Sequence, residues 1–523
     1  MTKKFKKVLA LLLSVLTVFA SCAVAASAAE AEEEKYPAIY VAGYGQHIFS
    51  EKNNHNSKVL YPTGVDVAEK VKEAVLPCLF ELAIGSFSNN YDAYCDAIYN
   101  SIAPIYDDLR LNPDGTLKDN SGGWANAYAQ TFGNYGMIRF SYDWRLSPET
   151  LAHELHSAIE IVLDKYDAEK VNLVGRCYGA NIVSAYLELY KEEAVDLVDS
   201  AIFYVPSTEG IGLIGTIFSG QIEINAENLD VFVSEIMKYL DVMEDGLVKD
   251  FLNVMVSVFE QASLFELSAD KLQNLIDSIK NNLIPRLVRD SYGSFPSFWS
   301  MIPDEYLNAA IDFTYNTAEL KETYKGTIDI IRSWNENVQK KSRANLLSLK
   351  DEINLNVISK YNLPALPVMG EGCANSDAVA ETHYTSFGAT AADFGTRLSA
   401  EYIEAMDEDA KAFLSADEKI DASTCVLPEK TWFIKNSYHD HFPESVDALM
   451  NEIFISDGMT VFTNEEYPQF LDADVDGKTL TPVTGVDKDI PESDSTEGRI
   501  NLLVKFIIFV VKLFNSILEK IGA

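Results

Sequence analysis

Five residues, Gly175-Arg176-Cys177-Tyr178-Gly179, set a thiol between two glycines. Apolar, β-prone Val171, Leu173 and Val174 precede them, and apolar residues at helical spacing run from Ala180 to Leu187. A nucleophile on such a strand-to-helix corner is the G-x-S-x-G elbow, here with cysteine where serine is usual. The chemistry it implies is acyl transfer. A cysteine at a helix N-terminus meets unpaired amides and the positive end of the dipole, both of which favour a thiolate. The bland alternative is a loop in which the pattern arose by chance.

Such a nucleophile needs an acid and then a histidine later in the chain. His439 and His441, two of only seven histidines, follow the apolar run 430–437. His439 directly follows the strand end and is the expected base; His441 is the alternative. Asp417, in a turn, is the expected acid, with Asp421 and Asp377 as fallbacks. A solvated acidic turn is the plain alternative for Asp417 in so acidic a chain. The oxyanion hole is expected from the backbone N–H groups of Tyr178 and of Tyr44, the latter within Gly43-Tyr44-Gly45-Gln46. Neither a metal nor a cofactor is called for. The acidic run 472–477 starts like an EF-hand loop. Its twelfth position is Val483, where a glutamate is needed, so it reads as an acidic turn.

Apolar runs at 38–42, 136–144, 171–174, 198–207, 363–372 and 430–437 predict strands. The stretch 147–166 predicts a helix capped by Ser147 with Pro148 in its first turn, and 65–85 a helix interrupted by Pro77. Strands alternating with helices predict an α/β fold, a mostly parallel sheet with helices on both faces. The core is expected over 36–210 and again over 358–470. A mostly helical, partly very apolar insertion at 211–357 is expected as a lid or cap over the sheet's carboxyl edge.

The run Ser141-Tyr142-Asp143-Trp144-Arg145-Leu146-Ser147-Pro148-Glu149, followed about thirty residues on by the elbow, resembles the lecithin:cholesterol acyltransferase-like branch of the α/β-hydrolases. The run 37–46 is similar to that group's oxyanion loop. "LPVMGEG" and "ADEKIDAST" are similar to its later strand and acid turn, and "NSYHDHFPE" to its histidine turn. The likeness lies in short islands between about 36 and 443 and leaves out the helical insertion. It implies an α/β-hydrolase fold and lipase, esterase or acyltransferase chemistry. Carried onto this chain, it implies Cys177 as nucleophile, Asp417 as acid and His439 as base, with Asp143 and Arg145 as a structural brace. Two departures stand out: cysteine in place of serine, and Asp-Glu-Lys where Asp-Gly is usual.

The N-terminus has a basic start, a short apolar run at 8–20 and an Ala26-Ser27-Ala28 cleavage pattern, which reads as a signal peptide over 1–28. Cys22, in "VFASC", offers an alternative lipoprotein processing site. The expected location is therefore secreted or at the cell surface or envelope. Five cysteines would remain after cleavage. Pairs Cys78–Cys95 and Cys373–Cys425 would leave Cys177 as the odd thiol; the plain alternative is that all five are reduced. The formal net charge of −37 argues against nucleic acid as a partner. An acidic linker at 471–498 leads to an amphipathic helix at 499–523, whose 500–522 portion suits a membrane surface or a partner.

These features support an exported acyl-ester hydrolase or acyltransferase working through a Cys-His-Asp triad and a thioester, on an apolar or lipid ester. The alternative is a non-catalytic surface protein of the same fold that binds an apolar ligand or partner.

Overall fold

The computed structural model describes residues 36–63, 91–123, 131–221, 274, 277–365, 374–456, 458–474 and 478–486. The segments expected as a signal peptide (with Cys22), as a helix at 65–85 and as a C-terminal helix, together with Cys78, Cys373 and the end of the expected linker, lie outside the described residues. Among those described, no helix is long and apolar enough to cross a membrane.

Nine strands form one sheet: β1 (Ala38–Val41), β2 (Thr131–Phe132), β3 (Met137–Phe140), β4 (Val171–Arg176), β5 (Val198–Tyr204), β6 (Asn354–Tyr361), β7 (Thr431–Lys435), β8 (Phe470–Ala473) and β9 (Leu480–Pro482). Their order is β9-β8-β7-β6-β5-β4-β1-β3-β2. Every pairing from β3 to β8 is parallel, and antiparallel β2 and β9 close the two edges. The inner strands are buried along their length, as a sheet covered on both faces requires. One apolar cluster packs on each face, the larger with Leu173, Phe203 and Val357, the other with Val174, Ile202 and Ile358. This is the α/β-hydrolase architecture expected from the sequence.

Helix α1 (Pro148–Tyr166) starts where the sequence puts it. Ser147 Oγ accepts from the Thr150 N–H at 3.2 Å, Pro148 fills the first turn, and Asp167 ends the helix in the left-handed conformation. Helix α2 (Tyr178–Leu189) follows the elbow and is almost wholly buried.

The insertion is helical where it is described, beginning with α3 (Gly212–Ser219). It gives way to the sheet sooner than expected. β6 begins at Asn354, inside the range assigned to the insertion, because Leu355 and Val357 alternate with polar asparagines. Of the strand expected at 363–372, Leu363–Pro364 forms part of a separate two-stranded pairing and the rest lies outside the described residues. The sheet also continues past the strand expected to be last, into β8 and β9, where a linker was expected from 471.

Asp143 and Arg145 form the brace that the resemblance implied. Arg145 donates from Nε and Nη2 to the two Asp143 oxygens at 3.0 and 2.8 Å. It also donates to the Leu109 carbonyl and to Ser121 Oγ, tying the chain after β3 to two distant loops. Both side chains are fully buried. Removing one partner of such a pair strands a desolvated charge. Arg145→Met is therefore expected to lower unfolding free energy by about 3–5 kcal/mol, measured by chemical denaturation; a loss under about 1 kcal/mol would contradict the brace.

Candidate active site

The corner between β4 and α2 is sharp. Cys177 adopts φ 50° and ψ −122°, a positive φ that a side chain disfavours. Its N–H donates to the Tyr204 carbonyl at 3.0 Å, and its own carbonyl accepts from Ala180 N at 2.9 Å. The glycines flanking it are required by close approach. A Cβ on Gly179 would sit 2.1 Å from the Val41 carbonyl oxygen, and one on Gly175 would sit 2.7 Å from Ala180 Cα. Helix, strand and neighbouring strand thus pack backbone to backbone around the thiol, which is 9% exposed.

The loop after β1 passes directly over it. A Cβ on Gly43 would lie 3.4 Å from Cys177 Cβ. The Tyr-Asp-Trp run holds this loop in place. Tyr142 donates its hydroxyl to the Ala42 carbonyl, and Trp144 Nε1 donates to the Gln46 carbonyl, both at 2.5 Å. The Tyr44 ring packs between Trp144 and Phe298, a residue of the insertion. A second link to the insertion comes from α2, where Asn181 Nδ2 donates to the Ser300 carbonyl and hydroxyl. Tyr178 opens α2, so its N–H is one of those the helix leaves unpaired.

His439 and Asp377 follow adjacent parallel strands, β7 and β6. His439 Nδ1 lies 2.7 Å from Asp377 Oδ2, and the His439 N–H donates to the Asp377 carbonyl at 2.9 Å. Asp377 is fixed in turn: its Oδ1 accepts from Val379 N at 3.0 Å and Ala380 N at 2.8 Å. His439 Nε2 is buried and makes no hydrogen bond of ordinary geometry. Cys177 lies near enough to the ring to act on its charge. Burial pushes the imidazole's pKa down, but the Asp377 carboxylate and Cys177 outweigh this and hold it well above 6.5. Burial likewise pushes Asp377 up, and His439, the Ala380 amide and Lys360 outweigh it to hold the carboxyl below 3.8.

The carboxylate that the structure sets beside His439 is Asp377, one of the expected fallbacks, and not Asp417. Asp417 is buried in another partnership: Oδ2 lies 3.0 Å from Lys435 Nζ and accepts from the Tyr361 hydroxyl at 3.1 Å. Asp421 caps a short turn through Ser423 and accepts from the Tyr402 hydroxyl. His441 is exposed, and its carbonyl accepts from Lys360 and from Tyr204. The signal for Asp377 was β6 itself. With that strand placed, Asp377 lies in the loop after it, as His439 lies in the loop after β7. Cys95, Cys177 and Cys425 are free, buried thiols, so Cys95 and Cys425 do not form the expected disulfides.

Residues 130–364 match the family model described as Lecithin:cholesterol acyltransferase. The matched region contains the Tyr-Asp-Trp-Arg run and the elbow; it starts after the Gly43–Gln46 loop and ends before Asp377 and His439. No curated protein and no solved structure matches the chain.

The pair sets a pH window. A raised histidine pKa contributes stability in full below about 6.5 and loses it as pH rises through the raised value. A lowered carboxyl pKa contributes stability above about 3.8 and loses it as pH falls through the lowered value. Asp377→Asn is expected to bring the His439 titration midpoint down, followed by NMR of its ring proton, whereas Asp417→Asn leaves it in place. The reverse pattern would return the acid to Asp417.

Proposed function

We propose that this chain catalyses acyl transfer from an ester through Cys177, His439 and Asp377. The observation that carries the proposal is the buried His439, tied to Asp377 through Nδ1, with its other ring nitrogen left without a partner among the described residues and Cys177 near enough to act on its charge. The thiolate is the attacking form. Its sulfur bonds to the ester carbonyl carbon, and the carbonyl electrons move onto oxygen, for which this reading takes the N–H groups of Tyr44 and Tyr178 as the oxyanion hole. The C–O bond breaks as His439 Nε2–H protonates the departing alkoxide, leaving a thioester. Water or an alcohol then gives its proton to His439 Nε2 and attacks that thioester. The C–S bond breaks, and the thiolate and the protonated imidazole are restored. Asp377 keeps the ring oriented and stabilises its charged form.

The match to Lecithin:cholesterol acyltransferase supports a lipid or other apolar ester as substrate. So does the aromatic surround of the loop over the thiol, where Tyr44 meets Trp144 and Phe298. The insertion acts as a lid on this reading. Export through the segment 1–28, and membrane-surface contact through 500–522, fit a substrate held in an envelope or membrane.

Kinetics with p-nitrophenyl esters of graded chain length test the proposal. Cys177→Ala is expected to lower kcat/KM by roughly 10³-fold or more, since loss of the nucleophile removes the whole covalent route. Turnover unchanged in that variant would overturn the assignment. A thiol inert to iodoacetamide, with no ester turned over, would favour the ligand-binding reading of the same fold.

A further inference from the structure

The turn that carries His439 is gripped from below by a row of side chains. Arg176, Tyr204 and Lys360 stand at the carboxyl ends of β4, β5 and β6. Arg176 lies opposite Tyr204, and Lys360 is two residues beyond Ile358, the partner of Tyr204. Side chains two apart share a face, so all three point to the same side of the sheet, that of Val174, Ile202 and Ile358. From there each reaches the turn. Lys360 Nζ donates to the Tyr438 carbonyl at 2.5 Å and to the His441 carbonyl at 2.7 Å. Arg176 Nη2 donates to the His439 carbonyl at 3.2 Å and lies 3.7 Å from Asp440 Oδ1. The Tyr204 hydroxyl donates to the His441 carbonyl at 3.0 Å. Every residue from 438 to 441 is held through its carbonyl or its carboxylate.

We propose that Lys360 and Arg176 are positioning residues that set the reach of His439 to Cys177 by clamping the backbone of its turn. The inference rests on the reading of His439 as the base, and it accounts for Arg176, the elbow residue that sequence left without a role. Arg176 immediately precedes the nucleophile yet turns to the other face of the sheet. It therefore couples the end of the nucleophile strand to the histidine turn in a single side chain.

Lys360 is fully buried, and a buried ammonium is costly to hold. That cost is visible: burial pushes its pKa down to about 7, with Arg176 adding to the fall and Asp377 and Asp440 opposing it. The Tyr204 ring and His441 are the other titratable groups against it. A methionine there would pack at no such cost and leave the carbonyls of Tyr438 and His441 without this donor. Histidine placement is sensitive, because a shift of about 1 Å in a reacting group costs roughly 10²-fold in rate.

Three variants of the full chain, Lys360→Met, Lys360→Gln and Arg176→Gln, test the clamp. Three readouts are followed: kcat and KM on a p-nitrophenyl ester, iodoacetamide labelling of Cys177 by peptide mapping, and the His439 ring-proton titration. Lys360→Met is expected to lower kcat roughly 10²-fold with KM held within about twofold. It should also slow labelling and shift the His439 midpoint. Lys360→Gln, which keeps two donors without the charge, is expected to recover part of each loss. Folded variants with unchanged labelling and an unchanged midpoint would overturn the clamp. Where Lys360→Met fails to fold, the same null result in Lys360→Gln and Arg176→Gln overturns it. Labelling and titration need no substrate. A chain that turns over no ester, or whose Cys177→Ala variant stays active, would refute the function while these two readouts still decide the clamp.

Discussion

The first turn of α2 has no room between itself and β1. Gly179 lies so close to the Val41 and Ala42 carbonyls that any side chain there would collide with backbone oxygen. Most of the site follows from that contact. It brings the N-terminus of α2 to the carboxyl end of the sheet, so the residue before the helix has to turn back on itself with a positive φ. It also brings the loop after β1 across the top of Cys177. A thiol, the amides of a helix start and a second backbone loop are thereby gathered within a few ångströms before any catalytic partner is considered.

The other half of the site is assembled by the sheet's register. β6 and β7 run parallel and end together, and the loops that follow them meet. One supplies Asp377, the other His439, and two hydrogen bonds join them, one through the side chains and one through the backbone. The buried ion pairs Asp143–Arg145 and Asp417–Lys435 brace neighbouring segments. Such pairs add little net stability, but they tolerate only one arrangement of the chain.

The sequence was most legible where local chemistry dictates geometry. The elbow turn, the Ser147–Pro148 helix start, the glycine loop after β1 and the position of His439 after β7 all announce themselves by residue type and spacing. Asp377 did not. It lies after β6, whose run Asn354-Leu355-Asn356-Val357 carries asparagines, one of them fully buried, where an inner strand would ordinarily be apolar. Asn354 bonds across to Ser200 on the neighbouring strand, and Asn356 Nδ2 bonds back to the Asn354 carbonyl, contacts that local propensity does not announce. Asp417 is favoured instead by the likeness of "ADEKIDAST" to the family's acid turn. Arg176 was illegible for a related reason: its partners, the His439 carbonyl and the Asp440 carboxylate, lie over 260 residues away.

The central claim is that an acyl group passes onto the sulfur of Cys177. Mass spectrometry of the intact chain after a short-chain acyl ester, quenched in acid and mapped by peptide, reads that event directly. The account predicts one acyl adduct, on Cys177, that hydroxylamine removes at neutral pH and that is absent in Cys177→Ala. An adduct on another residue, or none on a chain that still hydrolyses the ester, would contradict it.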